Sequence, residues 1–145
     1  MANLPIEFKS DAKTDNKFDQ CWEVTSGNFK AVCAIPTEFG GAGGGFSPED
    51  LFLQSAINCF VGTFKVMAKL SKLYFGELEV KGNLVVDKNS VGKIVMKSIH
   101  LEITISQVDR FERAENIALK ALKEGYILNS LKSEITHSLN IIQAS

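Results

Sequence analysis

The run from Ser47 to Leu73 constrains this chain most. Ser47 is a good helix N-cap, Pro48 suits the first helical position, and Glu49 with Asp50 places negative charge at the positive end of the helix dipole. The pattern predicts a helix from Pro48 to about Leu73. Leu51, Phe52, Leu53, Ala56, Ile57, Phe60, Val61, Phe64, Met67 and Ala68 wrap most of its circumference, which marks a helix covered nearly all round. A domain of 145 residues seldom surrounds one helix so completely. Ser55, Cys59, Gly62 and Val66 follow helical spacing along one face, and their small volumes invite the same helix from a second copy.

Before this helix the chain reads as a hairpin, with Phe18, Trp22 and Val24 facing Phe29, Ala31, Cys33 and Ile35 around Ser26, Gly27 and Asn28. A three-residue loop sets Cys21 opposite Cys33; a two-residue loop sets Cys21 opposite Ala34. After Gly76 come strands at Leu78–Asp87 and Lys93–Ser106, a helix at Asp109–Glu124 that Gly125 can cap, and a final strand at Glu134–Ile142. The order predicts a single α+β domain over residues 1–145.

Composition removes several functions. With 16 basic and 17 acidic residues the net charge is -1, which gives no footprint for nucleic acid or anionic membranes. Leu51–Leu70 is interrupted by Gln54, Asn58, Lys65 and Lys69 and is read as a core segment, not a membrane span. The N-terminus has no signal-peptide pattern, so the expected location is cytoplasmic. Three cysteines are an odd set, pointing to free thiols in a reducing compartment.

The glycines of Gly40–Gly45 do not form a phosphate loop, because Ser47-Pro48-Glu49 follows them where a Gly-Lys-Ser/Thr would be needed. They are expected to form a mobile crossover that lets backbone pass close to other elements. His100 and His137 lack a second ligand at metal-site spacing, so no metal and no cofactor are expected. Cys59 is either inert packing in an apolar helix or a nucleophile. A nucleophile there needs a cation nearby, because a thiol in apolar surroundings is mostly protonated at neutral pH.

The run Ile35-Pro-Thr-Glu-Phe-Gly-Gly-Ala-Gly-Gly-Gly, then Ser47-Pro-Glu-Asp-Leu-Phe, then Asn58-Cys59-Phe60, resembles the signature of the OsmC/Ohr family, osmotically inducible protein C and organic hydroperoxide resistance proteins. The likeness extends in element order over essentially the whole chain. It implies an intertwined homodimer with long central helices enclosed by antiparallel sheets. It also implies that Cys59 attacks a hydroperoxide to give a sulfenic acid, and that Glu49 orients an arginine which stabilises the thiolate. The resemblance further implies a second, resolving cysteine and a dithiol reductant.

This chain departs from that pattern twice. Gly125 stands where the resolving cysteine is expected, and the only arginines are Arg110 and Arg113 in the second helix. Lys17 is the nearest cation by spacing, with Lys13 and Lys30 as alternatives, although lysine lacks the planar fork of arginine. Two readings follow: a one-cysteine reductase of organic hydroperoxides served by an external thiol, or a non-catalytic dimer that binds a small hydrophobic molecule. A third makes Cys21 and Cys33 a redox pair.

Overall fold

The structure is a computed structural model that describes residues 3–145. The chain forms two compact units, one ending at Leu51 and one running from Phe52 to Ser145.

The first unit is a three-stranded antiparallel sheet of β1 (Ser10–Lys13), β2 (Trp22–Ser26) and β3 (Phe29–Cys33), in that order. Ser26 pairs with Phe29, so the loop is Gly27-Asn28, and Trp22 faces Cys33. Gly27 has φ +61°, as the first central residue of a tight hairpin turn requires. This is the two-residue alternative, and it removes the register that would face Cys21 with Cys33. The strand also begins later than expected: Phe18 lies in a turn and is 59% exposed. β1 was not expected, because all four of its side chains are exposed and leave no apolar alternation.

The glycine loop is tied to its neighbours by backbone hydrogen bonds. Phe46 N–H donates to Val32 O and Ala34 N–H to Phe46 O, while Gly41 and Gly43 donate to Pro36 O and Ile35 O. A Cβ on Gly41 would overlap Ile35 O, and one on Gly45 would fall 2.8 Å from Val32 O. The expected close passage of backbone is therefore present, against β3, and only glycine permits it there.

Helix α1 (Pro48–Leu70) starts as its sequence dictates. Ser47 Oγ accepts from Asp50 N–H at 2.9 Å and Asp50 Oδ2 accepts from Ser47 N–H at 2.9 Å, a reciprocal capping box. It ends three residues before the predicted Leu73. Lys72 turns left-handed at φ 54°, Leu73 N–H reaches back to Ala68 O, and Arg110 Nη2 donates to Ser71 O at 3.1 Å and Lys72 O at 2.7 Å.

Within the second unit α1 buries Ala56, Phe60, Phe64 and Ala68, a stripe at every fourth residue. Phe60 stacks on Phe64 at 5.9 Å, and Phe64 meets Phe75 edge-on at 5.3 Å. The rest of the circumference is only partly covered: Val66 is 60% exposed, and a Cβ on Gly62 would meet nothing within 4 Å. The expectation of burial all round is not met within one chain. An 18-residue window of α1 has mean hydropathy 1.3, so by length and composition alone the helix is long and apolar enough to cross a membrane. Its four polar interruptions do not disqualify it on that measure, contrary to expectation. Its buried stripe is that of a core helix.

The sheet of this unit is β4 (Glu77–Lys88), β5 (Ile94–Val108) and β6 (Glu134–Gln143), with β5 central. β4 and β5 are an antiparallel hairpin, its turn held by Asn89 Oδ1 accepting from Val91 and Lys93 N–H. β6 runs parallel to β5, so this sheet is mixed, whereas antiparallel sheets were expected. The physical reason is the crossover: α2 (Phe111–Glu124) carries the chain back to the end where β5 began, as parallel pairing demands. Ile99, Leu101, Ile103 and Ile105 of β5 are fully buried beside Ala114, Ala118 and Ala121 of α2 in one apolar core. At Gly82 of β4 an added Cβ would come within 2.9 Å of both Leu53 Cδ1 and Ile57 Cδ1, so α1 lies against the strand where the strand has no side chain.

Replacing Ser47 with Ala removes one half of the capping box. The expected loss is about 1 kcal/mol in urea unfolding, with the midpoint lowered and the slope unchanged.

Candidate functional site

Cys59 sits mid-helix on α1, half-buried, packed against the core of the second unit. Its sulfur meets the backbone that follows α2. A Cβ built on Gly125 would lie 2.7 Å from Cys59 Sγ, 3.2 Å from Ala121 O and 3.3 Å from Leu128 Cδ1. Gly125 does cap α2, its N–H donating to Ala121 O at 3.1 Å, but with φ -61° and ψ 129°. Any residue adopts that conformation. Glycine is needed there for space, and what occupies the space is the thiol.

Glu49 is in the first turn of the same continuous helix, ten residues before Cys59, or about 15 Å of rise. Its Oε1 is buried and has no hydrogen-bond partner among the described residues. A carboxylate oxygen in that state carries a desolvation cost that a cation would offset. Lys17 lies exposed in the β1–β2 connection, where its N–H donates to Asp15 Oδ1. Of the alternatives, Lys30 pairs with Glu23 at 3.6 Å on the surface of the hairpin, and Lys13 sits across from Glu23 in the register. Sequence reasoning did not anticipate the use found for Arg110, which closes the C-terminal end of α1.

The remaining thiols do not bridge. Cys21 is exposed and donates weakly to Gly43 O at 3.5 Å, Cys33 is buried, and both are free. Residues one register step apart point to opposite faces of a sheet, so the redox-pair reading has no geometry behind it. His100 Nδ1 lies 2.8 Å from Thr136 Oγ1, and both histidines are exposed. Among the described residues no group of three His, Cys, Asp or Glu side chains could hold a metal. A shallow surface cavity of about 530 Å³ is lined by Arg110, Glu112, Arg113 and Asn116 and holds none of the expected site residues.

The sequence model described as OsmC-like protein matches residues 41–140, most of the chain and all of α1. The chain belongs to the OsmC-like family. It is 32% identical over 84 residues to the organic hydroperoxide resistance proteins of Xanthomonas axonopodis pv. citri and Xanthomonas campestris pv. phaseoli. That match spans 57% of this chain and 58% of theirs.

Solved structures show the same α+β fold at lower identity. An OsmC-like protein from Mycoplasma pneumoniae aligns at TM-score 0.81 and 16% identity, over 96% of this chain and 99% of that one. An OsmC-like protein of unknown function from Vibrio cholerae gives 0.83 and 14%, over 93% and 99%. An organic hydroperoxide resistance protein from Elizabethkingia anophelis gives 0.73 and 22%, over the whole of both chains.

Contact between Gly125 and Cys59 makes a specific demand on stability. Gly125→Ala is expected to cost about 1–3 kcal/mol by overpacking, and Cys59→Ala in the same chain should recover much of it. A double-mutant cycle by chemical denaturation with no coupling between the two sites would refute the contact.

Proposed function

We propose that this OsmC-like protein reduces organic hydroperoxides, with Cys59 as the nucleophile. The observation that carries the reading is the packing of Cys59 Sγ against Gly125. It joins the thiol on α1 to the segment where the family resemblance expects a second cysteine. Hydroperoxide resistance in the Xanthomonas relatives, a property of those proteins, supports the substrate class. In this reading the thiol sulfur attacks the O–O bond, an alcohol leaves, and a sulfenic acid remains on Cys59. Apolar surroundings favour organic over small polar peroxides.

Glu49 is assigned the role of holding a cation for the thiolate, and its orphaned Oε1 supports that assignment. Lys17 is the proposed cation. An external thiol restores the sulfur, no metal or cofactor takes part, and the protein works in the cytoplasm away from nucleic acid and membranes. The working form is a homodimer. Support for it comes from the exposed apolar and small positions of α1, with Val66 60% exposed and Gly62 open to a neighbouring helix.

One observation favours a second reading, a non-catalytic dimer binding a small hydrophobic ligand: among the described residues no cationic side chain hydrogen-bonds Glu49 Oε1. Consumption of cumene hydroperoxide by wild type and Cys59→Ser separates the two. A saturable rate that the substitution abolishes is expected, and equal rates in both proteins would sink the peroxidase reading.

The dimer has its own test. Val66→Glu places a charge on the open face of α1 without touching the buried stripe. Sedimentation should show it as a monomer beside a dimeric wild type.

A further inference from the structure

A two-cysteine site and a one-cysteine site differ in which reductant can serve them, and the residue at position 125 sets that difference here. The ideal Cβ of Gly125 is 2.7 Å from Cys59 Sγ. Across a disulfide the corresponding separation is about 3 Å, fixed by the S–S bond length and the angle at sulfur. A cysteine at 125 would therefore be within bonding reach of Cys59 with a shift of a few tenths of an ångström. This chain has glycine there and no other thiol in the unit from Phe52 to Ser145.

We propose that Gly125 makes the site open to low-molecular-weight monothiols, which regenerate Cys59 through a mixed disulfide. The proposal rests on the peroxide-reducing reading above. The steps balance without any further reactant. Cys59–SH and ROOH give Cys59–SOH and ROH; R′SH then forms the mixed disulfide Cys59–S–S–R′ and releases water. A second R′SH attacks R′S and leaves Cys59–SH and R′S–SR′.

With a cysteine at 125, any monothiol that opened the site would compete against a tethered sulfur at high effective concentration, and the intramolecular disulfide would re-form. A dithiol escapes that competition, because its own second sulfur completes the reduction. With glycine at 125 nothing recloses the site. Cys59 is half-buried, so its sulfur is not sealed from solution, and a small thiol needs less of an opening to reach it than a protein surface does.

The experiment measures cumene hydroperoxide consumption with 2-mercaptoethanol and with dithiothreitol at equal thiol concentration, and reads the ratio of the two rates. Wild type should give rates within about threefold of each other, and Gly125→Cys should lower the monothiol-to-dithiol ratio more than about tenfold. Wild type served by dithiothreitol alone would overturn the proposal. So would an unchanged ratio in Gly125→Cys whose non-reducing mass shows a bridge between Cys59 and the introduced thiol.

Should Gly125→Cys not fold, the intact mass of wild type after one equivalent of hydroperoxide with excess 2-mercaptoethanol decides alone. A mercaptoethanol adduct on Cys59 supports the proposal; sulfinic acid in its place refutes it while leaving the peroxidase reading standing. If Cys59 is neither oxidised nor trapped as sulfenic acid by dimedone, the peroxidase reading itself fails, and the proposal falls with it.

Discussion

The second unit depends on how closely α1 can lie on its sheet. Gly82 allows Leu53 and Ile57 to press onto β4 with no intervening side chain, and the Ala56, Phe60, Phe64, Ala68 stripe turns the helix so that its large rings enter the core. Burying each of those two phenylalanines is worth about 1.5–3 kcal/mol. Small residues at 56 and 68 bring the backbone in, and large ones at 60 and 64 fill what remains. Once the stripe is fixed, helix geometry fixes Cys59 one step around from Phe60, at the margin of the core. The thiol is half-buried because it flanks the stripe.

The other support is the pair of devices that end α1. At its start, Ser47 and Asp50 satisfy each other's backbone N–H groups, so the helix begins where the glycine loop is already pinned to β3. At its finish, the guanidinium of Arg110 takes two free carbonyls of the left-handed turn at Lys72. A charge-assisted hydrogen bond is stronger than a neutral one, which suits a turn where a non-glycine residue holds a positive φ. One of the chain's two arginines is thereby committed to structure.

Legibility followed the range of the forces involved. The start of α1 was readable because Ser47, Pro48, Glu49 and Asp50 act within a single turn, and the β4–β5 hairpin was readable because Asn89 and Gly92 lie between two alternating runs. The register of the first hairpin hinged on whether Ser26 belongs to the loop or to the strand, which composition does not decide. β1 carried no signal, since an exposed edge strand needs only backbone pairing to β2. The direction of β6 was hidden for a different reason. Alternation of Ile135, Leu139 and Ile141 reports a face and not a direction, and the direction is set by the crossover through α2.

Gly125 was legible as a helix terminus and illegible as a neighbour of Cys59. A glycine after a helix ordinarily supplies a left-handed backbone, and that local explanation is sufficient until the dihedrals are known. At φ -61° and ψ 129° it no longer explains anything, because alanine would serve equally well. What remains is the volume of one side chain, and Cys59 Sγ fills it. The resemblance places a second thiol at this point, and this chain has glycine there, packed against Cys59.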